Sequence, residues 1–197
     1  MNRRKPIGTI DSLCWVLGIP EKQLMYFADT ARKHYTEFAV PKAYGYRMIK
    51  NPRPGLKAVQ LRIYENILRD LPLPDSVHGG VKDRSPKSNA AQHCGQPCVV
   101  RLDVKKCFPS IKPALVYRLF AHHLKFAPDV ARVLTKLTTL DRQVPQGVST
   151  STAIVNLVIS YECEEEIAEA VRASRSKNTR FVDDLFFSGN TPQDVIN

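Results

Sequence analysis

The chain has 197 residues, of which 43% are hydrophobic and 24% are charged. This composition is typical of a folded globular protein with a sizeable core, and it excludes a disordered chain. No apolar run reaches the ~18 residues that a membrane span needs, and the N-terminus lacks the hydrophobic segment of a secretory signal. The five cysteines are scattered without zinc-site spacing, so we expect reduced thiols, a cytoplasmic location and no membrane partner.

The net charge of +10 predicts a polyanionic partner. Residues 38–64 carry six basic residues and no acidic residue. The six are Lys42, Arg47, Lys50, Arg53, Lys57 and Arg62. Such a stretch can be an ordinary solvated surface, but the lack of a compensating acid favours contact with phosphates.

The first elements along the chain are helices. Thr9 is placed to cap a short helix that runs to Leu17, and a second helix is predicted after Pro20. The next segment, "FAVPKAYGYRMIKNPRPG", has aromatic and apolar runs on both sides of Gly45. This pattern predicts a β-hairpin that ends at Pro52.

An amphipathic helix is predicted after this hairpin because apolar residues recur at helical spacing. These residues are Leu56, Val59, Ile63, Ile67 and Leu71. Residues 72–98 are rich in Pro, Gly, Ser and Asn, which predicts a long irregular connection.

The second half of the chain mixes strands and helices. A strand is predicted over Cys98–Val104, and helices are predicted to begin at Pro113 and Pro128. A further helix from about Thr152 to Ala173 precedes a strand-turn-strand segment over residues 180–189. The absence of a regular β-α-β alternation indicates an α+β fold.

Two sites in this half carry aspartates within apolar strands. Asp183 and Asp184 lie in "RFVDDLFFSG", and Asp103 ends "VVRLDV". Each site alone is explained by turn chemistry or by a strand-end cap. If the strands are neighbours, three carboxylates converge, and a divalent cation would offset their repulsion. Oxygen ligands favour Mg²⁺ or Mn²⁺, and such a site in a basic protein suits phosphoryl transfer.

Four segments, in this order along the chain, resemble reverse transcriptases, and in particular those of bacterial retrons. "VPKAYGYRMIKNPRPGLKAVQ" is similar to the fingers hairpin and its helix, and "RLDVKKCFPSI" is similar to the first palm motif. "VPQGVSTSTAIVNLV" resembles the segment that lines the incoming nucleotide, and "RFVDDLFFSG" resembles the Tyr-Ala-Asp-Asp hairpin. The likeness runs from about Tyr35 to Gly189 and implies the fingers and palm of a right-hand polymerase.

The resemblance implies an RNA-directed DNA polymerase that adds dNTPs to a primer 3′-hydroxyl along an RNA template. Asp103 and Asp183 would coordinate two Mg²⁺ ions, or Mn²⁺, together with the backbone carbonyl of Val104. Asp184 would complete the acidic cluster as a further metal ligand. The hairpin reads Phe-Val-Asp-Asp where the family has Tyr-Ala-Asp-Asp, and this change is compatible with catalysis.

The resemblance also implies a nucleotide site. Lys42 and Arg47 would hold the triphosphate, and Phe108 would exclude a ribose 2′-hydroxyl. Gln146 and Gly147 would lie beside the nucleotide. Without the family, Phe108 is explained by core packing and "PQG" by a turn before a helix.

A fifth segment, Asn89-Ala90-x-x-His93, resembles a motif that retron reverse transcriptases place between fingers and palm and that is associated with their structured RNA. We therefore expect Asn89 and His93 to contact RNA, together with Arg53 and Lys57 of the basic stretch. The alternative is that Asn89 caps a helix and that His93 is a satisfied loop or core histidine.

The resemblance divides the chain into an N-terminal helical segment (1–37), fingers (38–98) and an incomplete palm (99–197). The family continues with a helical thumb, so we expect a fragment of a longer enzyme or a truncated relative that lacks the thumb. A structured non-coding RNA, an effector protein and a role in antiviral defence are also implied.

Two other functions compete with this interpretation. One is a non-catalytic RNA-binding module that kept the fold, and metal-dependent primer extension would separate it from a polymerase. The other is a different two-metal phosphotransferase, such as a nuclease or a primer-independent nucleotidyltransferase. It leaves the aromatic residue at Phe108 and the "PQG" segment without an explanation.

Overall fold

The computed structural model describes residues 5–41, 45–174 and 176–196. Helices and antiparallel strands follow one another without a repeating β-α-β order, which confirms the α+β class. The chain forms two compact units, Met1–Leu71 with Phe108–Ile154 and Pro72–Cys107 with Val155–Asn197. Within the described ranges, no helix is long and apolar enough to cross a membrane.

The described residues form ten α-helices and five strands. The helices are α1 (Ile10–Leu17), α2 (Glu21–Thr30), α3 (Pro54–Ile63), α4 (Pro86–Ala91), α5 (Cys107–Ser110), α6 (Pro113–Arg118), α7 (Pro128–Thr138), α8 (Ser151–Glu162), α9 (Glu164–Ser174) and α10 (Gln193–Ile196). A 3₁₀ turn follows α2 (Ala31–His34), and π-helical turns follow α3 (Tyr64–Leu68) and α6 (Leu119–His123). The strands are β1 (Tyr35–Pro41), β2 (Tyr46–Pro52), β3 (Cys98–Asp103), β4 (Lys177–Phe181) and β5 (Asp184–Gly189).

The first unit begins with the predicted capped helix. The Thr9 hydroxyl accepts a hydrogen bond from the Ser12 amide at 3.1 Å, and α1 ends at Gly18, whose φ of 62° only glycine adopts at no steric cost. The predicted β-hairpin is also confirmed. Strands β1 and β2 pair antiparallel from Tyr35 opposite Pro52 to Pro41 opposite Tyr46.

Helix α3 brings the predicted apolar face into the core of this unit. Its buried residues, with those of the π-helical turn that follows, include Leu56, Val59, Ile63 and Ile67. Gln60 is also fully buried, and its amide nitrogen donates to the Tyr35 hydroxyl and the Leu137 carbonyl at 2.8 Å each. These bonds tie α3 to β1 and α7.

The second unit contains a three-stranded antiparallel sheet with the strand order β3-β5-β4. Strands β4 and β5 form the predicted hairpin, and β5 is the central strand, paired with β4 on one side and with β3 on the other. The register sets Cys98 opposite Gly189 and Asp103 opposite Asp184. The two aspartate-bearing strands are therefore neighbours, which meets the condition that the sequence analysis set for the convergence of the carboxylates.

Two predicted elements differ from the structure. Residues 72–98 are not wholly irregular, because Ser85 caps the short helix α4 through a reciprocal pair of hydrogen bonds with Ser88. The long helix predicted up to Ala173 is interrupted at Cys163. The glutamates that follow Cys163 lie in the first turn of α9, where they favour the positive end of a new helix.

Candidate active site

The hairpin β4–β5 turns tightly through Val182 and Asp183. Val182 has φ of 62°, a left-handed conformation that is unusual for a β-branched residue. The Val104 amide donates to the Asp183 carbonyl at 3.0 Å, which connects the turn to the end of β3. The backbone of the turn is thus fixed from two sides, by its own hairpin and by the neighbouring strand.

The three aspartates meet at the end of the sheet that carries this turn. Asp103 lies directly opposite Asp184 in the antiparallel register, and Asp183 precedes Asp184. Residues directly opposite one another point to the same face of a sheet, so Asp103 and Asp184 share a face. Like charges in this position repel each other, and a nearby cation would stabilise them.

Arg101 supplies one such cation. Because side chains alternate along a strand, Arg101 lies on the same face as Asp103, two residues away. Its Nε and Nη2 atoms donate to the two carboxylate oxygens of Asp184, both at 2.9 Å. This hydrogen-bonded ion pair raises the pKa of the Arg101 guanidinium above its ordinary value.

The donor set fits a hard divalent ion in part. Asp103 and Asp183 make no side-chain hydrogen bond or ion pair with the described residues. The Val104 carbonyl accepts from the Cys107 amide at 3.1 Å and keeps a second lone pair. These oxygens suit Mg²⁺ or Mn²⁺, whereas Asp184 is occupied by Arg101. Over the described ranges, no group of three or more His, Cys, Asp or Glu side chains is arranged to hold a metal ion.

The segment from Ser76 to Gly79, which precedes α4, packs against the hairpin turn. The Arg180 amide donates to the Ser76 carbonyl, and the His78 amide donates to the Arg180 carbonyl, both at 2.7 Å. Gly79 then passes against the turn so closely that a Cβ atom there would lie 2.5 Å from the Val182 nitrogen. The left-handed turn therefore depends on a residue without a side chain beneath it.

Arg180 is a second buried anchor of the hairpin. Only 2% of its side chain is exposed, so it packs inside the unit and offers no charge to a nucleic acid. Its guanidinium donates to the Asn156 side-chain oxygen at 3.0 Å, to the Ser160 hydroxyl at 2.9 Å and to the Val182 carbonyl at 3.3 Å. Asn156 in turn donates to the Gly79 carbonyl at 2.7 Å. The network joins α8, the hairpin turn and the segment beneath it.

His93 and Asn89 lie inside the chain. His93 is 7% exposed, and its Nδ1 and Nε2 atoms are hydrogen-bonded to the hydroxyls of Ser188 and Thr179, both at 2.7 Å. Asn89 is 4% exposed and belongs to α4, which Ser85 caps. The structure thus gives His93 the satisfied core environment named as the alternative, and RNA contact by these two residues stays a prediction.

A cavity of about 460 Å³ lies between α4 and the sheet face. Asn89 and Ala90 contribute to its wall, and Arg101, Phe181 and Phe186 contribute to its floor. Its lining also includes Asp184, so the cavity extends to the carboxylate that Arg101 binds.

The predicted nucleotide-binding residues belong to the first unit. Lys42 lies outside the described residues, and the backbone of Arg47 pairs with Val40 in the β1–β2 hairpin. Gln146 is exposed, and Gly147 has φ of 84° in the turn before α8. Phe108 is half-buried and is the first residue of Phe108–Ile154, the second segment of this unit. Their contacts with a nucleotide stay predictions.

The basic stretch contains both paired and exposed residues. Lys50 forms ion pairs with Asp141 and with Glu37, and Arg62 donates to the Leu17 carbonyl at 3.0 Å. The predicted RNA-binding residues at the start of α3 differ. Both Arg53 and Lys57 are exposed, so their side chains are available to a phosphate backbone.

The site contains residues that the sequence motifs did not single out. Arg101 could have been found by counting back two positions along the strand from Asp103, because period two places both on one face. Gly79 and Asn156 contact each other across 77 positions in the sequence, so no local pattern indicates their partnership.

Comparison with known proteins identifies the family of the chain. The family of the reverse transcriptase (RNA-dependent DNA polymerase) matches residues 40–197, and the chain belongs to it. The retron Se72 reverse transcriptase of Salmonella heidelberg (strain 579083-10) is 32% identical over 94% of the chain and 49% of its own length. The retron Mx65 enzyme of Myxococcus xanthus is 34% identical over 80% of the chain and 41% of its own length. The retron Ec86 enzyme of Escherichia coli is 30% identical over 88% of the chain and 53% of its own length.

The chain is thus a retron-type member of the family, which confirms the resemblance seen in its sequence motifs. It spans about half the length of the curated relatives that it matches. The matched residues include the whole of the three-aspartate site and the hairpin that carries it.

Proposed function

We propose that the chain carries the catalytic centre of an RNA-directed DNA polymerase, which transfers deoxynucleotides to a primer 3′-hydroxyl along an RNA template. The observation that supports this most is the register of β3 and β5. It sets Asp103 opposite Asp184, with Asp183 in the adjoining turn, inside a chain of the reverse transcriptase family.

The proposed metal ligands are Asp103, Asp183 and the Val104 carbonyl, with Asp184 as the third acidic residue. Two Mg²⁺ ions, or Mn²⁺, would lower the pKa of the primer hydroxyl and neutralise charge on the leaving pyrophosphate. The protein's own part is to keep both carboxylates at one sheet end, through the hydrogen bond that the Val104 amide donates to the Asp183 carbonyl and through the buried anchor Arg180.

The nucleotide site is proposed from the family motifs. Lys42 and Arg47 bind the triphosphate as paired cations, and Phe108 excludes a 2′-hydroxyl through its bulk. Gln146 and Gly147 lie beside the base and sugar, and the exposure of Gln146 supports such a role. In this assignment residues 38–98 are fingers and residues 99–197 belong to the palm.

The proposed partners are dNTPs, an RNA template with its primer, and a structured non-coding RNA. The exposure of Arg53 and Lys57 and the net charge of +10 support contact with a phosphate backbone. An effector protein and a part in antiviral defence rest on the retron relatives alone.

Primer extension tests the proposal. The chain is incubated with an RNA template, an annealed DNA primer, dNTPs and Mg²⁺, beside an Asp183→Asn variant that keeps the size of the side chain. We expect extension by the parent and a loss of at least about 100-fold in the variant, since charge stabilisation at the reacting centre is lost. If the parent binds the primer-template without extending it, and a longer natural chain behaves in the same way, the non-catalytic RNA-binding module is correct instead.

A further inference from the structure

The three aspartates of the site do not have equivalent surroundings. Asp184 is hydrogen-bonded at both oxygens by Arg101, whereas Asp103 and Asp183 make no side-chain hydrogen bond with the described residues and interact with Arg101 through its charge alone. A bidentate guanidinium–carboxylate pair fixes both groups in one plane and uses one lone pair of each carboxylate oxygen. Asp184 is therefore the member of the cluster least available to a metal ion.

The position of Arg101 follows from the sheet and not from a chance rotamer. It lies opposite Phe186 in the register, so its guanidinium reaches diagonally along the same face to Asp184. Only 20% of the Asp184 side chain is exposed, while 63% of the Arg101 side chain is exposed. The Asp184 carboxylate is thus mostly buried, and the exposed Arg101 side chain lies between it and the solvent.

The pair also changes the charge of the cluster. Three carboxylates less one guanidinium leave two negative charges at the end of the sheet, and these belong to Asp103 and Asp183. This remainder attracts divalent cations, and Mg²⁺ is usually bound by one or two carboxylates with further oxygen ligands. The arrangement favours a metal held by the two unpaired aspartates.

We propose that Arg101 is a positioning residue that holds Asp184 in an ion pair and keeps it out of the coordination shell of the metal. This inference rests on the proposed function, because it presupposes a divalent ion at Asp103 and Asp183. It assigns a role to Arg101, the first residue of the segment "RLDVKKCFPSI", to which the resemblance gave none, and it reduces the number of carboxylate ligands from three to two.

The test is Mn²⁺ binding to the purified 197-residue chain, followed by the electron paramagnetic resonance signal of free Mn²⁺. This readout needs neither nucleic acid nor turnover. The variants are Arg101→Gln, Asp184→Asn, their combination, Asp183→Asn and the double variant Asp103→Asn/Asp183→Asn. Lys105→Gln is the matched charge control, since Lys105 is exposed and follows Asp103 by two residues.

We expect Arg101→Gln to tighten Mn²⁺ binding by about two- to fivefold, because it releases a third carboxylate to the metal. Asp184→Asn should leave the affinity within about twofold of the parent, and Arg101→Gln should add nothing in that background. Lys105→Gln should change the affinity less than Arg101→Gln does, which separates release of Asp184 from a general change of charge.

Two results overturn the inference. One is that Asp184→Asn weakens Mn²⁺ binding as much as Asp183→Asn does, since Asp184 would then be a ligand. The other is that Arg101→Gln weakens or does not change binding. Failure of the proposed function has a different signature, because the Asp103→Asn/Asp183→Asn variant would then bind Mn²⁺ as well as the parent. Thermal unfolding of each variant checks that the substitutions leave the fold intact.

Discussion

The guanidinium of Arg180 and the side-chain amide of Asn156 are joined by a buried hydrogen bond of 3.0 Å between Nη1 and Oδ1. Asn156 is fully buried and Arg180 is 2% exposed, so neither can exchange its partner for water. Because Asn156 also donates to the Gly79 carbonyl, one side chain of α8 fixes both the hairpin and the segment below its turn.

Removal of this amide should destabilise the chain. Asn156→Ala removes one buried acceptor of the Arg180 guanidinium and the donor to the Gly79 carbonyl, and it should lower the free energy of unfolding by about 2–3 kcal/mol. Equilibrium unfolding in urea measures the change. Asn178→Ala in β4, at a half-buried residue outside this network, should cost less than about 0.5 kcal/mol. Equal losses in the two variants would contradict the role given to Asn156.

Gly79→Ala tests the close approach beneath the turn. The new Cβ atom would lie 2.5 Å from the Val182 nitrogen, so backbone must shift, and we expect a loss of about 1–3 kcal/mol with reduced primer extension. Gly8→Ala is the control, because nothing lies within 4 Å of a Cβ atom there. Unfolding and extension are measured on both variants, and a neutral Gly79→Ala would contradict the packing described.

Cys107 should be chemically inert in the folded chain. Burial, aided by the nearby Asp183 carboxylate, raises the pKa of its thiol to about 11. At pH 8 the thiol is therefore protonated, and N-ethylmaleimide should label the exposed Cys94 first, with Cys107 labelled only after unfolding in urea. Mass spectrometry of the peptides identifies the labelled site.

The raised pKa of the Cys107 thiol should make the stability of the chain fall as the pH rises. The unfolded thiol loses its proton at about pH 8.5, whereas the folded thiol keeps it to about pH 11. The contribution to stability is complete below the unfolded pKa and is lost as pH rises through this window. In Cys107→Ala, the melting temperature should fall less between about pH 8.5 and about pH 11 than it does in the parent.

His93 should make the chain sensitive to mild acid. Burial lowers the pKa of its imidazole below 6.5, and the positive charge of Lys177 adds to the effect. The unfolded histidine therefore binds a proton at a higher pH than the folded one, so stability is full above pH 6.5 and falls as the pH drops. Urea unfolding at pH 7.5 and pH 5.5 should show this fall, and His93→Gln should reduce it. A parent stability that does not change over this range would contradict the prediction.

Arg53 and Lys57 should contribute to RNA affinity through charge. The Arg53→Gln/Lys57→Gln variant should bind RNA more weakly and reduce the slope of log K against log salt by about 0.7 for each phosphate that is no longer neutralised. The control is Lys22→Gln/Arg132→Gln, which removes the same charge at two other exposed positions of the first unit. If both variants weaken RNA binding equally, the effect is one of overall charge and the assignment of these residues is wrong.

Local patterns were enough to predict the elements that build the site. Thr9 as a cap, the hairpin around Gly45 and the hairpin that carries Asp183 and Asp184 were all confirmed, since each depends on neighbouring residues or on period two. The family motifs then indicated which of these elements carry chemistry.

What the sequence did not reveal depends on contacts between distant segments. Helix α4 is too short to show a period, and its cap is a serine pair within a polar stretch. The ion pair of Arg101 with Asp184 joins residues 83 positions apart. The hydrogen bond of His93 likewise joins it to Ser188, 95 positions away. The histidine of the motif that predicts an RNA contact thus forms an internal hydrogen bond.

The strand order β3-β5-β4 bears on how this chain folds. Strands β4 and β5 adjoin through a tight turn and can pair as soon as they exist, whereas β3 must close a loop of several dozen residues to reach β5. Loop closure of that length costs entropy before any contact repays it, so β3 should join late in folding. Asp103 reaches Asp184 only in that step, and the repulsion between them is a barrier to docking that Arg101, which arrives on the same strand, offsets.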